Sequence, residues 1–283
     1  MVKSYIPKTY KDALDILSNG DFTIMAGGTD LMVKKRSRAG LLPSFQKDVL
    51  FLSGIRELSF IDKDSTSVRI GSMTTLEEIL LSDLSPALLK EAVAIMASPG
   101  IRHTATLGGN IGNASPAGDT LPVLYLHNAV IIIESKKETR EVPIEEFIIG
   151  PGKTTLEPGE LIKEIVLEEA KFNVSYYRKI GGRKTDAISK VSFAAGAFVG
   201  NGVVNDMRLA FGAVSPRVAR NRELETSIKG ISTARLLAMA EEIKNGYGII
   251  INPIDDQRSN AKYRKKCCMN MIDDFLRRVS GEQ

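Results

Sequence analysis

Two glycine pairs are the residues of this sequence whose type and setting could bind a cofactor. The first lies in Met25-Ala26-Gly27-Gly28-Thr29-Asp30-Leu31, directly after the apolar run 22–26. Adjacent glycines let a backbone approach a ligand closely, and consecutive N–H groups before a helix form an anion site. The segment favours a phosphate or pyrophosphate ligand, with a simple turn as the alternative. It matches neither the Gly-x-Gly-x-x-Gly fingerprint nor a P-loop.

The second glycine pair lies in a long, nearly uncharged segment, Thr106-Leu107-Gly108-Gly109-Asn110-Ile111-Gly112-Asn113-Ala114-Ser115-Pro116-Ala117-Gly118-Asp119-Thr120. Hydroxyls, amides and small residues dominate it, whereas a solvent loop usually carries more charge. Long loops in compact domains are commonly functional or disordered, and the spaced apolar residues argue against disorder. We therefore predict a loop over 106–120 that wraps a polar, uncharged ligand surface.

These loops need strands and helices to position them, and the sequence predicts an α+β fold in two parts, 1–170 and 175–283. A buried strand (22–26) and a helix (31–38) flank the first glycine pair. Thr9 is a predicted helix N-cap, as is Thr74 or Thr75. The C-terminal part begins with two strands around Gly200-Asn201-Gly202, a hairpin turn signal. The remaining predicted strands are 49–52, 67–72 and 129–134, and the remaining predicted helices are 85–96 and 260–279.

Composition excludes several functional classes. The net charge of +4 over 283 residues and the absence of tryptophan argue against nucleic-acid binding. The two cysteines, Cys267 and Cys268, exclude both a disulfide framework and a four-cysteine iron–sulfur site in this chain. The two histidines build neither a metal site nor a catalytic triad, so we predict no catalytic and no metal-binding residue. No apolar run or N-terminal leader indicates a membrane span or export, so the expected location is cytoplasmic.

The two glycine-pair segments together resemble the two flavin loops of the medium, FAD-binding subunit of molybdenum hydroxylases, the xanthine dehydrogenase family. The similarity extends over nearly the whole chain. The other segments that fit the family are Ile101-Arg102-His103, Gly150-Pro151-Gly152-Lys153, Gly159-Glu160-Leu161-Ile162, Ala210-Phe211-Gly212, 253–259 and Tyr263-Arg264. The resemblance implies a two-part FAD-binding domain of the vanillyl-alcohol-oxidase (PCMH) type over 1–170. A smaller C-terminal α+β domain of the carbon monoxide dehydrogenase flavoprotein type, a hairpin plus helices, would follow over 175–283.

The resemblance also implies which residues bind FAD. The first group would cradle the pyrophosphate through backbone N–H groups: Ile24, Met25, Ala26, Gly27, Gly28, Thr29, Asp30 and Leu31. The second group would line the other side of the cofactor: Thr106, Leu107, Gly108, Gly109 and Asn110. Asp119 would accept a hydrogen bond from the cofactor, and Ile162 and Lys179 match further flavin contacts. A cation at Lys179 would stabilise reduced, anionic flavin, although a surface lysine beside Arg178 is the alternative.

The function that the resemblance implies is electron transfer. A large molybdenum-pterin subunit would hydroxylate the substrate, and a small subunit with two 2Fe-2S clusters would pass electrons to FAD here and on to NAD+ or another acceptor. Thr29-Asp30, where the carbon monoxide enzymes tend to carry His-Ser, favours xanthine dehydrogenase over carbon monoxide or nicotinate dehydrogenase. Two other classes stay open: a stand-alone flavin oxidoreductase with its own substrate pocket, and an assembly subunit without flavin.

Overall fold

The computed structural model describes residues 2–38, 41–184 and 186–281. A 3-10 turn spans Arg56–Leu58. The helices are α1 (Tyr10–Leu17), α2 (Leu31–Lys34), α3 (Leu76–Leu81), α4 (Ala87–Ala94), α5 (Pro99–Arg102), α6 (Leu107–Asn113), α7 (Leu121–Leu126), α8 (Ile144–Phe147), α9 (Arg222–Ile228), α10 (Thr233–Ala238), α11 (Ala240–Ile250) and α12 (Ala261–Ser280). The strands are β1 (Ser4–Tyr5), β2 (Phe22–Met25), β3 (Asp48–Phe51), β4 (Ile61–Lys63), β5 (Ser67–Gly71), β6 (Val130–Glu134), β7 (Thr139–Pro143), β8 (Ile148–Gly150), β9 (Lys153–Thr154), β10 (Leu161–Glu168), β11 (Val174–Ile180), β12 (Val191–Gly200) and β13 (Val203–Gly212).

The chain forms two compact units, and unit 1 comprises the residues up to Ser85, Ala97–Ala114 and Ala129–Glu168. One of its sheets is parallel, in the order β1-β3-β2. Helix α1 buries Leu14 and Leu17 in one apolar cluster with Leu50 of β3. A second sheet is antiparallel, in the order β4-β5-β10-β6-β7. The parallel sheet matters for the site, because β2 leads directly into the first glycine pair.

Unit 2 comprises Pro86–Met96, Ser115–Asn128 and the chain from Glu169 onward. Its antiparallel sheet has the order β11-β12-β13. Asn201 and Gly202 join β12 to β13 with φ values of 53° and 73°, and a type I′ turn requires positive φ at both central residues. The predicted hairpin around this turn is therefore confirmed.

The core of unit 2 is possible because β12 carries small residues where it is buried on both faces. Ala194, Ala195 and Ala197 are each 0% exposed, and on a strand, alternate residues point to opposite faces. Residues of α11 and α12 join one apolar cluster with the sheet. Phe193 and Phe211, paired in register, stack with ring centroids 4.3 Å apart. None of the helices in the described ranges is long and apolar enough to cross a membrane.

The mixed helix and strand content agrees with the predicted α+β class, but two local predictions were wrong. The helix predicted over 31–38 is a single turn that ends at Lys34. The loop predicted over 106–120 contains α6, which the Thr106 side chain caps. Glycines at 108, 109 and 112 disfavour a helix by propensity, yet Leu107 and Ile111 are fully buried, so tertiary packing stabilises it.

Asp256 and Arg264 connect the segment before α12 to the end of β13. The Arg264 guanidinium, 4% exposed, donates from Nη2 to Asp256 Oδ1 at 2.5 Å and from Nη1 to the Ala213 carbonyl at 3.2 Å. Asp256 also accepts from the backbone N–H groups of Arg258 and Ser259. The segment 253–264 that fits the family pattern therefore has a structural role within unit 2.

We expect Asp256→Asn to weaken the acid dependence of stability. Arg264, together with the two N–H donors, lowers the pKa of Asp256 to about 2, below the ordinary value of ~3.9. A depressed pKa gives a stabilisation that is complete above about pH 4 and lost as the pH falls through about 2. The Tm difference between wild type and Asp256→Asn should therefore shrink between about pH 5 and pH 2. A Tm difference that stays constant across that range would contradict this assignment.

Candidate functional site

The first glycine pair lies in unit 1, where β2 ends and α2 begins. Gly28 has φ +71°, a conformation that favours glycine. Gly27 is restricted by space, because a Cβ there would lie 1.9 Å from the Thr104 carbonyl oxygen. Among the described residues, no protein group accepts a hydrogen bond from the N–H of Gly27, Gly28 or Thr29. These half-buried donors are open to a ligand.

The second glycine pair lies in the first turn of α6, also in unit 1. Thr106 is the N-cap, and its Oγ1 accepts from the Gly109 N–H at 3.1 Å. The backbone of this turn is tied to the chain just before α3, because the Leu107 N–H donates to the Thr74 carbonyl and the Gly108 N–H to the Ser72 carbonyl. A Cβ on Gly108 would lie 2.6 Å from Ser72 atoms. Only glycine permits this approach.

The fold of unit 1 places the two predicted loops side by side. Gly27 lies against Thr104, directly before the second loop, and a Cβ on Gly109 would lie 3.4 Å from the Ala26 Cβ. Lys34 of α2 contacts Asp30 Oδ2 at 2.7 Å and donates to Asn113 Oδ1 at the end of α6. The predicted segments 24–31 and 106–110 thus lie next to each other in unit 1. The Lys34–Asn113 contact, just beyond both segments, joins positions 79 apart.

Ile162, the third predicted position in unit 1, lies on β10 near α6. Its side chain is 7% exposed, and its Cδ1 would be 3.7 Å from a Cβ on Gly112. The position lies beside a register shift between Ile162 and Glu164 in the β10–β6 ladder. Ile162 therefore supplies apolar packing beneath the helix that carries the second glycine pair.

The two remaining predicted residues, Asp119 and Lys179, lie in unit 2 and contact each other. Lys179 Nζ is 2.7 Å from Asp119 Oδ2, and each side chain is 7% exposed. The alternative of a surface lysine therefore does not hold. Lys179 Nζ also donates to the Ile95 carbonyl at 3.3 Å, so the ammonium has a fixed environment.

Sequence reasoning missed two residues that hold Asp119. Ser189 Oγ donates to Asp119 Oδ1 at 2.5 Å, and the Tyr177 hydroxyl donates to the Asp119 backbone carbonyl at 3.0 Å. Tyr177 could have been found from strand alternation, because it lies two residues from Lys179 on the same face of β11. Burial raises the pKa of Asp119, whereas Lys179 and Ser189 act against that rise. In the described ranges, no three His, Cys, Asp or Glu side chains cluster closely enough to hold a metal ion.

Thr106→Ala should weaken the second loop measurably. Loss of an N-cap hydroxyl costs about 1 kcal/mol, and the Gly109 N–H loses its acceptor. We expect a lower Tm and weaker retention of added FAD, measured by thermal melting and by FAD titration. Thr106→Ser keeps the hydroxyl and is the matched control, with values close to wild type. Equal losses of Tm and FAD retention in Thr106→Ala and Thr106→Ser would show that the cap hydroxyl does not stabilise the second loop.

Comparison with known families gives two matches. Residues 1–167 match the family described as the FAD binding domain in molybdopterin dehydrogenase. Residues 175–279 match the carbon monoxide dehydrogenase flavoprotein C-terminal domain. The first match alone spans more than half of the 283 residues, and the two matches follow one another along the chain.

Individual relatives match the chain over nearly its whole length. The chain is 30% identical over 269 residues to the glyceraldehyde dehydrogenase medium chain of Sulfolobus acidocaldarius, covering 93% of each chain. It is 28% identical over 284 residues to a putative xanthine dehydrogenase FAD-binding subunit of Escherichia coli, covering 97% of this chain and 93% of that one.

Solved structures share the fold. A chain of carbon monoxide dehydrogenase from Oligotropha carboxidovorans superposes with a TM-score of 0.89 at 23% identity, covering 100% of this chain and 99% of that chain. A chain of quinoline 2-oxidoreductase from Pseudomonas putida 86 superposes with a TM-score of 0.85 at 20% identity, covering 99% and 97%. Together with the family matches, these results confirm the predicted fold class, and the chain belongs to the family of FAD-binding medium subunits of molybdenum hydroxylases.

Proposed function

We propose that this chain is the electron-transfer subunit of its molybdenum hydroxylase complex, taking electrons from 2Fe-2S clusters of a small partner onto FAD and passing them to NAD+. The observation that supports FAD binding most directly is the adjacency of the two glycine-pair loops, with open N–H donors at Gly27, Gly28 and Thr29. Such donors suit a pyrophosphate. The bound flavin supplies the redox chemistry, whereas the protein supplies position and electrostatics.

The proposed roles of the two parts of the chain are based on the two family matches. Residues 1–170 form the FAD-binding domain, and residues 175–283 form the C-terminal domain. The N–H groups of Gly27, Gly28 and Thr29 bind the pyrophosphate, and the turn 106–110 lines the cofactor. Asp119, Ile162 and Lys179 make the remaining contacts. No side chain of this chain acts as an acid or base on the hydroxylated substrate, because that chemistry belongs to the large molybdenum-pterin partner.

The proposed substrate of the complex is xanthine, and the proposed location is the cytoplasm. Thr29-Asp30 supports xanthine over carbon monoxide, and one relative is named a putative xanthine dehydrogenase subunit. Glyceraldehyde is the alternative with a specific observation behind it, since that relative is 30% identical. The two cysteines are unpaired thiols, which suits a reducing compartment.

Steady-state turnover by the native complex, isolated through a tag on this chain, tests the proposal. The complex should contain FAD, iron and molybdenum, and should reduce NAD+ with xanthine but not with glyceraldehyde, nicotinate or carbon monoxide. The isolated chain should turn over none of these compounds. Turnover of an organic substrate by the isolated chain would instead support a stand-alone flavin oxidoreductase, and turnover of glyceraldehyde alone would reassign the substrate.

A further inference from the structure

Unit 2 contains a groove between strand β11 and helix α12. Its volume is about 430 Å³, and small-molecule sites commonly measure about 300–1,000 Å³. All of its lining residues come from these two elements, which both belong to unit 2. The groove therefore lies within one compact unit and is formed without any residue of unit 1.

An arginine lies on the face of β11 that otherwise packs against the core. Alternate residues of a strand share a face, and Val174, Tyr176 and Ile180 on this face pack against the apolar cluster of unit 2. Arg178, between them, is exposed. On α12, the lining residues from Cys267 onward recur at spacings of three and four, so they form one stripe along the helix. The guanidinium thus shares a groove with one side of α12.

Asp274, the carboxylate that lines the groove, already has partners. Arg278 Nε donates to Asp274 Oδ2 at 3.2 Å. Burial raises the pKa of the Tyr176 hydroxyl, and its hydrogen bond to Asp274 adds to that rise. The Arg278 guanidinium also lies 4.6 Å from the centroid of the Tyr176 ring, which is a cation–π contact. These three side chains satisfy one another, and Asp274 balances the charge of Arg278.

Arg178 and Asn270 are the donors that remain open in the groove. In the part of the chain that the structure describes, neither side chain has a hydrogen-bond or ion-pair partner. A guanidinium presents two parallel N–H donors that match a carboxylate, and a side-chain amide can donate a further hydrogen bond. Apolar groups line the same groove, because Ile180 is half-buried and Met271 is 6% exposed. This lining suits a carboxylate that is joined to an apolar chain.

We propose that the groove binds a short-chain aliphatic monocarboxylate. The carboxylate accepts hydrogen bonds from Arg178 and Asn270. The hydrocarbon chain packs against Ile180 and Met271. The site needs no bound flavin, so it goes beyond the proposed electron transfer.

The charge and shape of the groove determine this ligand class. Two guanidiniums against one carboxylate leave a single positive charge, which matches a monoanion better than a dianion. Arg278 covers the ring of Tyr176, so the groove suits an aliphatic chain better than an aromatic ring, which needs a stacking face. Lys179, the neighbouring candidate flavin contact, lies on the opposite face of β11. The groove is therefore distinct from the proposed flavin contacts.

Protection of Cys267 from alkylation, measured on the full-length chain at constant ionic strength, tests the proposal. Cys267 lines the groove and is half-buried, whereas Cys268 is 0% exposed and burial raises the pKa of its thiol. Iodoacetamide should therefore modify Cys267 selectively, and peptide mass spectrometry measures the rate. Hexanoate should slow this reaction saturably, whereas hexanamide, its neutral analogue, should not.

Variants of the two donors and a matched control assign the protection to the groove. Arg178→Met should raise the hexanoate concentration that gives half-protection about tenfold, because a charge-assisted hydrogen bond is lost. Asn270→Ala should raise it by less. Arg277→Met is the matched control, because Arg277 is exposed on α12 but does not line the groove. The control should keep the wild-type value, and thermal melting checks that each variant is folded.

The remaining outcomes would overturn the proposal. Equal protection by hexanamide would show that the carboxylate is not recognised. Equal protection by inorganic phosphate would show that the groove attracts any anion and has no preference for an aliphatic chain. Absence of saturable protection by hexanoate, or a loss in Arg277→Met as large as that in Arg178→Met, would show that Arg178 forms no such site.

Discussion

Gly27→Ala should strip FAD from the purified protein. The added Cβ would lie 1.9 Å from the Thr104 carbonyl oxygen and 2.7 Å from its carbonyl carbon. Both are backbone atoms, so the clash cannot be relieved by a side-chain rotation, and the two glycine-pair loops must move apart. Overpacking of this kind costs about 1–3 kcal/mol or more, and each 1.4 kcal/mol is about tenfold in affinity.

The FAD-to-protein ratio after gel filtration measures this effect, with thermal melting as a check on folding. Gly100→Ala is the matched control in the same unit, because a Cβ there meets no atom within 4 Å. The control should keep the wild-type ratio and Tm. Retention of FAD by Gly27→Ala at the wild-type ratio would mean that the close approach of the two loops does not form the site.

Arg220→Ala should destabilise unit 2 by about 3–5 kcal/mol, because it leaves a buried carboxylate without its partner. The side chains of Arg220 and Glu225 are 4% and 8% exposed, and Nη2 lies 2.8 Å from Oε2. Arg220 also donates to the Tyr125 carbonyl and to Asn128 Oδ1, which ties the segment 115–128 to the start of α9. Chemical denaturation of the full chain measures the loss.

The pH dependence of that loss and one further variant, Arg222→Ala, identify its cause. Burial raises the pKa of Glu225 and Arg220 opposes the rise, so without Arg220 the carboxyl should take up a proton more readily. The difference in free energy of unfolding between wild type and Arg220→Ala should therefore become smaller as the pH falls toward the raised pKa of Glu225. Arg222→Ala removes an exposed guanidinium that also contacts Asn128 and should cost less than about 0.5 kcal/mol. Equal losses in Arg220→Ala and Arg222→Ala would contradict the buried-pair explanation.

Local chemistry made much of the fold predictable from the sequence. Thr9 and Asn201-Gly202 carry their signals in a few adjacent residues, and both predictions were confirmed. Helix α6 was missed because its glycines argue for a loop, while the burial that stabilises it comes from distant residues. Helix propensity alone could not reveal a helix in which the close approach of Ser72 requires glycine at position 108.

The candidate site was likewise predictable only where its signal lies in a few adjacent residues. The glycine pairs were visible because their residue types are unusual, and their proximity was expected only through the family resemblance. The contact between Asp119 and Lys179 joins positions 60 apart, and that between Asp119 and Ser189 joins positions 70 apart. No spacing in the sequence indicates that Ser189 contacts Asp119, so Ser189 became evident only from the structure. Tyr177, two residues before Lys179 on β11, could have been inferred from strand alternation.

The absorption spectrum of the purified chain, before and after acid release of any chromophore, tests the central claim most directly. We predict the two visible bands of oxidised flavin, about one FAD per chain, and recovery of free FAD in the supernatant. A spectrum without visible absorption, which stays flat after incubation with FAD and gel filtration, would contradict the account and favour an assembly subunit that binds no flavin.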